Sequence, residues 1–169
     1  GRDVIHYTQL SETHSQAGNV DEAESAFYNA RDIFDNSLTR LPDRLLHQLP
    51  QWQLHIDIAH AKVIMTQGDL RAAEKMFREI LNSFGGGDLA YYSDYNVSNE
   101  ANIRGYHLVE ILLAQGRVAE AEAESRKAIA FALDKFGLNA HATAKTIRGM
   151  IKVLMARNEH LDARRLIAV

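Results

Sequence analysis

Four groups of residues in this chain have types and spacings that can do chemistry. The first is the stretch Ser83-Phe-Gly-Gly-Gly-Asp-Leu-Ala-Tyr-Tyr-Ser-Asp-Tyr-Asn-Val-Ser-Asn-Glu100. Within it Gly85-x-Gly87-x-x-Ala90 has the spacing of a dinucleotide-binding turn, whose glycines let backbone N–H groups approach a pyrophosphate. The second is His47, His55, Asp57 and His60, side chains of metal-ligating type. The third is Glu120, Glu122 and Glu124, a run of carboxylates of the kind that serve as general acids and bases. The fourth is Lys145, Arg148 and Lys152, spaced by three and then four, which puts three cations on one helix face.

Most of this chemistry fails on context. A dinucleotide turn needs a strand before it and a helix starting on its last glycine. Before Gly85 lies Arg71-Ala-Ala-Glu-Lys-Met-Phe-Arg-Glu-Ile-Leu81, a helical pattern, and a helix C-terminus repels phosphate. The loop therefore reads as a connector, with Gly85 capping one helix and the next starting near Ser98; Tyr91, Tyr92 and Tyr95 leave open a partner-binding loop. The histidines lack the i,i+4 spacing of a metal-binding helix, and the chain has no cysteine, so no metal is expected. His60 is expected half-buried and hydrogen-bonded. Glu120, Glu122 and Glu124 alternate, cannot share one helix face, and read as solvated charge. No nucleophile or acid/base constellation is present, so the expectation is a non-enzyme without cofactor. Lys145, Arg148 and Lys152 suit an acidic peptide or a C-terminal carboxylate, or are a solvated face.

The elements that position these residues repeat. Gly18-Asn-Val-Asp-Glu-Ala23 returns as Gly68-Asp-Leu-Arg-Ala-Ala73, as Gly116-Arg-Val-Ala-Glu-Ala121 and, with Asn for Gly, as Asn158-Glu-His-Leu-Asp-Ala163. The steps are 50, 48 and 42 positions. Helical patterns flank each copy: 3–16, 51–67, 98–115 and 140–157 before it, and 20–38, 69–84, 118–136 and 159–169 after it. Stripes such as Ala23, Phe27, Ala30, Ile33, Phe34 and Ala73, Phe77, Ile80, Leu81, Phe84 have helical period. The Gly or Asn can take the left-handed conformation that ends the first helix. Asn19 or Asp69 can cap the second. The small Ala lets the two helices approach closely. Each copy is then a helix hairpin that must stack on its neighbours to bury its apolar faces. In the first connector, Pro42 opens a short helix (Asp43–Leu49) and Pro50 ends it.

These residues resemble the tetratricopeptide repeat, whose pattern is W-x2-L-G-x2-Y, a turn, then A-x3-F. Tyr7-x2-Leu10-Ser11-x2-His14, Gly18 and Ala23-x3-Phe27 follow it. The later copies, built on Ala61 and Ala73-x3-Phe77, on Gly105 and Ala121-x3-Ser125, and on Ile147 and Ala163-x3-Ile167, follow it more loosely. Ser125 departs where an aromatic is usual. The long steps and Phe136-Gly-Leu-Asn-Ala-His-Ala-Thr-Ala144 resemble the kinesin-light-chain-like branch, and bacterial regulators of the maltose-activator type are similar. The resemblance implies an all-α fold, a right-handed superhelix of about four stacked hairpins (3–38, 51–84, 98–136, 140–169), the last incomplete, within one domain, 1–169. It also implies a non-enzymatic protein- or peptide-binding scaffold whose concave face is lined by first helices, here Glu12, His55, Lys62, Tyr106, Glu110, Lys145, Arg148 and Lys152. Glu12 stands where the chaperone-binding branch places a clamp Asn, which argues against chaperone tails as ligand. The alternative is a ligand- or peptide-sensing regulatory domain of a larger bacterial regulator.

Composition fits that reading. The chain has 169 residues and a net charge of −3, too mild to suggest nucleic acid, and no apolar run long enough for a membrane span. Charge is uneven: residues 1–40 hold three basic and seven acidic groups, residues 140–169 six basic and two acidic. The expected compartment is cytoplasmic. The opening Gly1 and the apolar close Leu166-Ile-Ala-Val169 lead to the expectation of a fragment of a larger protein.

Overall fold

The structure is a computed structural model, and it describes residues 2–84, 94–138 and 140–167. Among the described residues every regular element is helical. In chain order they are α1 (Arg2–Ala17), α2 (Val20–Leu38), a 3-10 turn (Asp43–Gln48), α3 (Leu49–Thr66), α4 (Leu70–Phe84), α5 (Asp94–Asn102), a π-helical segment (Ile103–Leu108), α6 (Val109–Ala114), α7 (Val118–Phe136), α8 (His141–Ala156) and α9 (His160–Ile167). The chain divides into two compact units, Gly1–Met76 and Phe77–Val169.

The four turns are alike at the level of single atoms. Gly18, Gly68, Gly116 and Asn158 have φ of 77°, 91°, 75° and 62°. This left-handed backbone is open to glycine at no cost and to asparagine at a small one. Each turn residue donates its N–H to the carbonyl three residues back: Gly18 to Ser15, Gly68 to Met65, Gly116 to Leu113 and Asn158 to Met155, at 3.0–3.2 Å. The next residue donates five back: Asn19 to His14, Asp69 to Ile64, Arg117 to Leu112 and Glu159 to Leu154. The pair of bonds is the Schellman arrangement, which satisfies the carbonyls a helix end would otherwise leave free. The same following residue then accepts the first bond of the second helix, from Ala23, Ala73, Ala121 and Ala163 at 3.0–3.1 Å. All four alanines are buried. One six-residue phrase thus stops a helix, reverses the chain and starts the next helix on its close-packing alanine.

Side-chain capping is less regular. Asp69 Oδ1 accepts from the Ala72 N–H at 3.0 Å, as expected. Asn19 makes no cap bond, and its amide lies 3.5 Å from His14 Nδ1 instead. Pro50 does not end the short helix. It sits in the first turn of α3, where its missing N–H and fixed φ cost nothing. The helix after the glycine loop starts at Asp94, earlier than the expected Ser98.

In the first unit α1, α2 and α3 pack on one another. Val4, Ala23, Phe27, Phe34, Trp52, Ile56, Ala59 and Val63 form the core, with Ile5, Ile33, Leu41 and Leu49 against it. The buried hydroxyl of Ser11 donates to the Ala23 carbonyl at 2.8 Å and ties α1 to the first turn of α2.

The second unit is built on unusually small residues. α5, the π segment and α6 run as one helix, since the residues that join them are all right-handed. A Cβ on Gly105 would come within 2.7 Å of Thr146 Cγ2 and 2.8 Å of Ala128 Cβ. A Cβ on Gly149 would fall on the carbonyl oxygen of Gly105. The hydrogen that Gly149 carries in that direction therefore points at this oxygen, a Cα–H···O contact between two helix backbones. Ser125, Ala128 and Ala132 are also fully buried. Serine at 125 thus belongs to a seam of small side chains in a unit whose helices approach to backbone distance.

A Gly149→Ala variant should lower stability by about 1–3 kcal/mol, because backbone must move to admit a methyl group. Thermal unfolding followed by circular dichroism reads this, with Arg148→Ala on the exposed side as control. An unchanged midpoint in Gly149→Ala would remove the backbone contact from the account.

Candidate functional site

Each first helix carries a charged residue six positions before its turn residue: Glu12 before Gly18, Lys62 before Gly68, Glu110 before Gly116 and Lys152 before Asn158. Equal register puts these four at the same level of successive hairpins, with alternating sign. Within each unit the two charges meet. Lys62 Nζ lies 2.9 Å from Glu12, on adjacent helices α3 and α1. Lys152 of α8 donates to the carboxylate of Glu110 on α6.

The second pair has an aromatic wall. Lys152 Nζ stands 4.6 Å from the centroid of the Tyr106 ring, a distance at which the ring face attracts a cation. Tyr106 belongs to the π segment, and the close Gly105–Gly149 approach sets how near α8 comes to it. Burial works against charge on Lys152, but the hydrogen bond and charge of Glu110, aided by Tyr106, outweigh it and hold its pKa above the ordinary lysine value. Lys152 is thus firmly cationic and already matched. Of its neighbours on α8, Lys145 is half-buried and Arg148 is exposed.

In the first unit His55 is buried near the Glu12–Lys62 pair. Burial lowers its pKa, with Glu12 opposing and Lys62 reinforcing the shift. The metal-like set comes apart. Asp57 accepts from Gln53 at 2.7 Å, while His60 stacks on Phe27 with centroids 4.5 Å apart and planes at 9°. His60 too is held below the ordinary histidine pKa by burial, against the pull of Asp57 and with a contribution from Arg31. In the second unit His107 stacks in the same manner on Phe77, at 5.1 Å and 1°. Phe27 and Phe77 are the repeat's aromatic position, four after the turn alanine, and each meets an imidazole of the following hairpin.

Reading Glu120, Glu122 and Glu124 as solvated charge needs correction. The three carboxylates have separate sets of partners. Glu120 is exposed and bonds to Arg117, which lowers its pKa. Glu122 takes Arg126 first and then Arg157 of the fourth hairpin, which also lower its pKa. Glu124 is buried. Three cations converge on it: Arg104 at 3.3 Å, Lys127 at 3.4 Å and Arg78 at 3.9 Å. Arg104 also pairs with Glu100 at 3.1 Å. Glu120 and Glu124, four positions apart, are neighbours on one helix side, which corrects the expectation that the three share no face; that Glu124 is buried and Glu120 exposed depends on partners of Glu124 20 and 46 positions away.

The glycine loop with Tyr91 and Tyr92, and the Tyr95 side chain, lie outside the described residues. Among the described residues no three histidine, aspartate or glutamate side chains come together as a metal site would need, and no helix is long and apolar enough to cross a membrane.

Residues 105–127 match the tetratricopeptide repeat family. The match starts at Gly105 in the π segment, crosses the Gly116 turn and ends on α7, so it covers the third hairpin from its close-packed glycine through its buried alanine. No curated protein and no solved structure matches the chain. Together with the all-helical architecture this supports a tetratricopeptide-like helical repeat.

Two measurements follow from the geometry. His55 and His60 have folded-state pKa values below 6.5, so their contribution to stability is present above about pH 6.5 and is lost as pH falls through that value. Urea unfolding should show a lower midpoint at about pH 5.5 than at about pH 7.5, with a smaller difference in His60→Leu. A flat profile in the unsubstituted chain would contradict the burial of both rings. Glu124→Ala should cost about 1–3 kcal/mol, since it removes the buried carboxylate on which Arg104, Lys127 and Arg78 converge, whereas Glu120→Ala should cost almost nothing. Equal effects would reverse the assignment.

Proposed function

We propose that this chain is a non-enzymatic protein-binding scaffold that docks an extended segment of a partner along the first helices of its hairpins. The observation that supports the reading most is that the family match over the third hairpin coincides with an aromatic–charged surface on which its Tyr106 and Glu110 meet Lys152 of the fourth. Tetratricopeptide repeats generally mediate protein–protein interaction, and a framework of backbone-specified turns leaves first-helix positions free to vary with the partner.

Lys152 is spoken for by Glu110, so the cation offered to a partner on this face is the exposed Arg148. An exposed guanidinium suits a carboxylate-bearing segment, with Arg148 bonding the carboxylate through two N–H groups. His55 and Lys62, in the same first-helix row of the first unit, are buried and serve the hairpin contact before any ligand. The partner on this reading is an acidic peptide or a protein carrying one.

The test is binding to an array of short peptides containing two or three Asp or Glu residues. Lys145→Glu with Arg148→Glu should reduce binding about tenfold or more while circular dichroism stays unchanged. Lys152 is left intact in that variant, because reversing it would set two carboxylates against each other and confound folding with binding. Affinity that survives the double reversal sinks the acidic-partner reading.

A further inference from the structure

Two helices carry outward faces that the scaffold reading does not use, and their chemistries are opposite. On α9 the outward side is Leu161, 73% exposed, and Ile167, 69% exposed, with Arg164 and Arg165 exposed between them. Arg165 is held by Asp162 at 2.9 Å, so the face keeps a cationic surplus. On α2 the residues Asp21, Ser25, Tyr28, Asp32 and Asp35 recur at steps of four and three and are all exposed. They make one stripe with Tyr28, 59% exposed, at its centre. Asp35 is matched by Arg31 at 3.0 Å, which leaves Asp21 and Asp32 as the acids that flank the ring. The chain-wide charge split runs the same way, acidic in residues 1–40 and basic in 140–169.

We infer that α9 of one copy docks on the α2 stripe of a second copy. In this contact Leu161 and Ile167 cover the Tyr28 ring, and Arg164 and Arg165 meet Asp32 and Asp21. Apolar centres rimmed by opposite charges are what a specific interface requires, and the rim supplies orientation and rate rather than most of the affinity. The two faces differ, so a pair of copies can be held by one such contact, each copy then keeping a face for a third, or by two reciprocal ones. An eight-residue helix buries little area, so the association is weak and depends on concentration and salt.

Sedimentation equilibrium of the 169-residue chain tests this, from ~5 to ~500 µM at about 50 mM and 500 mM NaCl. The expected result is a weight-average mass that rises with concentration above the 19.0 kDa chain mass and falls back at high salt. Asp21→Lys with Asp32→Lys should be monomeric at low salt, as should Arg164→Glu with Arg165→Glu. Mixing the two variants should restore association, since each then offers a face complementary to the other. All four positions are on the surface, and circular dichroism confirms that the variants fold. A chain monomeric throughout overturns the proposal, as does wild-type association that both variants retain. Peptide binding through Arg148 is scored separately and stands or falls on its own.

Discussion

The fold depends on one backbone constraint, the left-handed residue at each hairpin turn. A helix that stops must find partners for its last carbonyls, and a residue at positive φ lets the next two N–H groups turn back and supply them. Because the residue that donates the second of these bonds also accepts the first bond of the following helix, the angle between the two helices is fixed by backbone atoms alone. The alanine at the start of the second helix exploits that geometry. It is buried in all four hairpins because the turn brings it against the first helix, where a larger side chain has no room. Asn158 shows that the constraint is conformational and not a need for glycine as such, since it adopts φ 62° and makes the same two bonds.

Much of this was legible in the sequence. Gly18, Gly68, Gly116 and Asn158 stand in register with Ala23, Ala73, Ala121 and Ala163, and that pattern is a local one, written over six residues. The turns, the hairpins and the helix boundaries near them followed from it. What was not legible is what depends on distant partners. Glu124 has the same type and spacing as Glu120 and Glu122, yet it is buried because Arg78 and Arg104, from other helices, converge there. Pro50 punctuates equally well the end of one helix or the start of another, and the packing of Leu49 and Trp52 into the first-unit core decides for the start. Asn19 is a good capping residue whose turn had already bonded its own N–H backwards to His14, and its amide lies by that residue's ring instead.

The π segment has no sequence signature that periodicity reveals. It adds a residue to one turn, which widens the ring of backbone atoms there and shifts what precedes it. Its neighbours give it a physical cause. Gly105 lacks a side chain, Gly149 packs on the Gly105 carbonyl, and Ser125, Ala128 and Ala132 leave room on the other side. The consequence lies next door, at Tyr106, whose ring is carried on the distorted turn toward Lys152. The stacked imidazoles register the same shift. His60 falls eight residues before Gly68, while His107 falls nine before Gly116, one step earlier, and still each ring lies flat on the preceding hairpin's phenylalanine.

The alternating charges explain why the sites expected from sequence divide into those that bind inward and those that face out. A lysine and a glutamate at the same level of adjacent helices satisfy each other, and breaking such a half-buried pair costs more than forming it gains, so the pair acts chiefly to specify which helix level faces which. A one-turn slip of α3 against α1 would separate Lys62 from Glu12, and a slip of α8 against α6 would separate Lys152 from Glu110. Both units use the same order, acid in the earlier hairpin and lysine in the later. The register is therefore held at the turns by backbone hydrogen bonds and between hairpins by matched charges, Glu12–Lys62 in the first unit and Glu110–Lys152 together with Glu122–Arg157 in the second. Side chains that do neither, Arg148 on α8 foremost, are the ones left to meet something else.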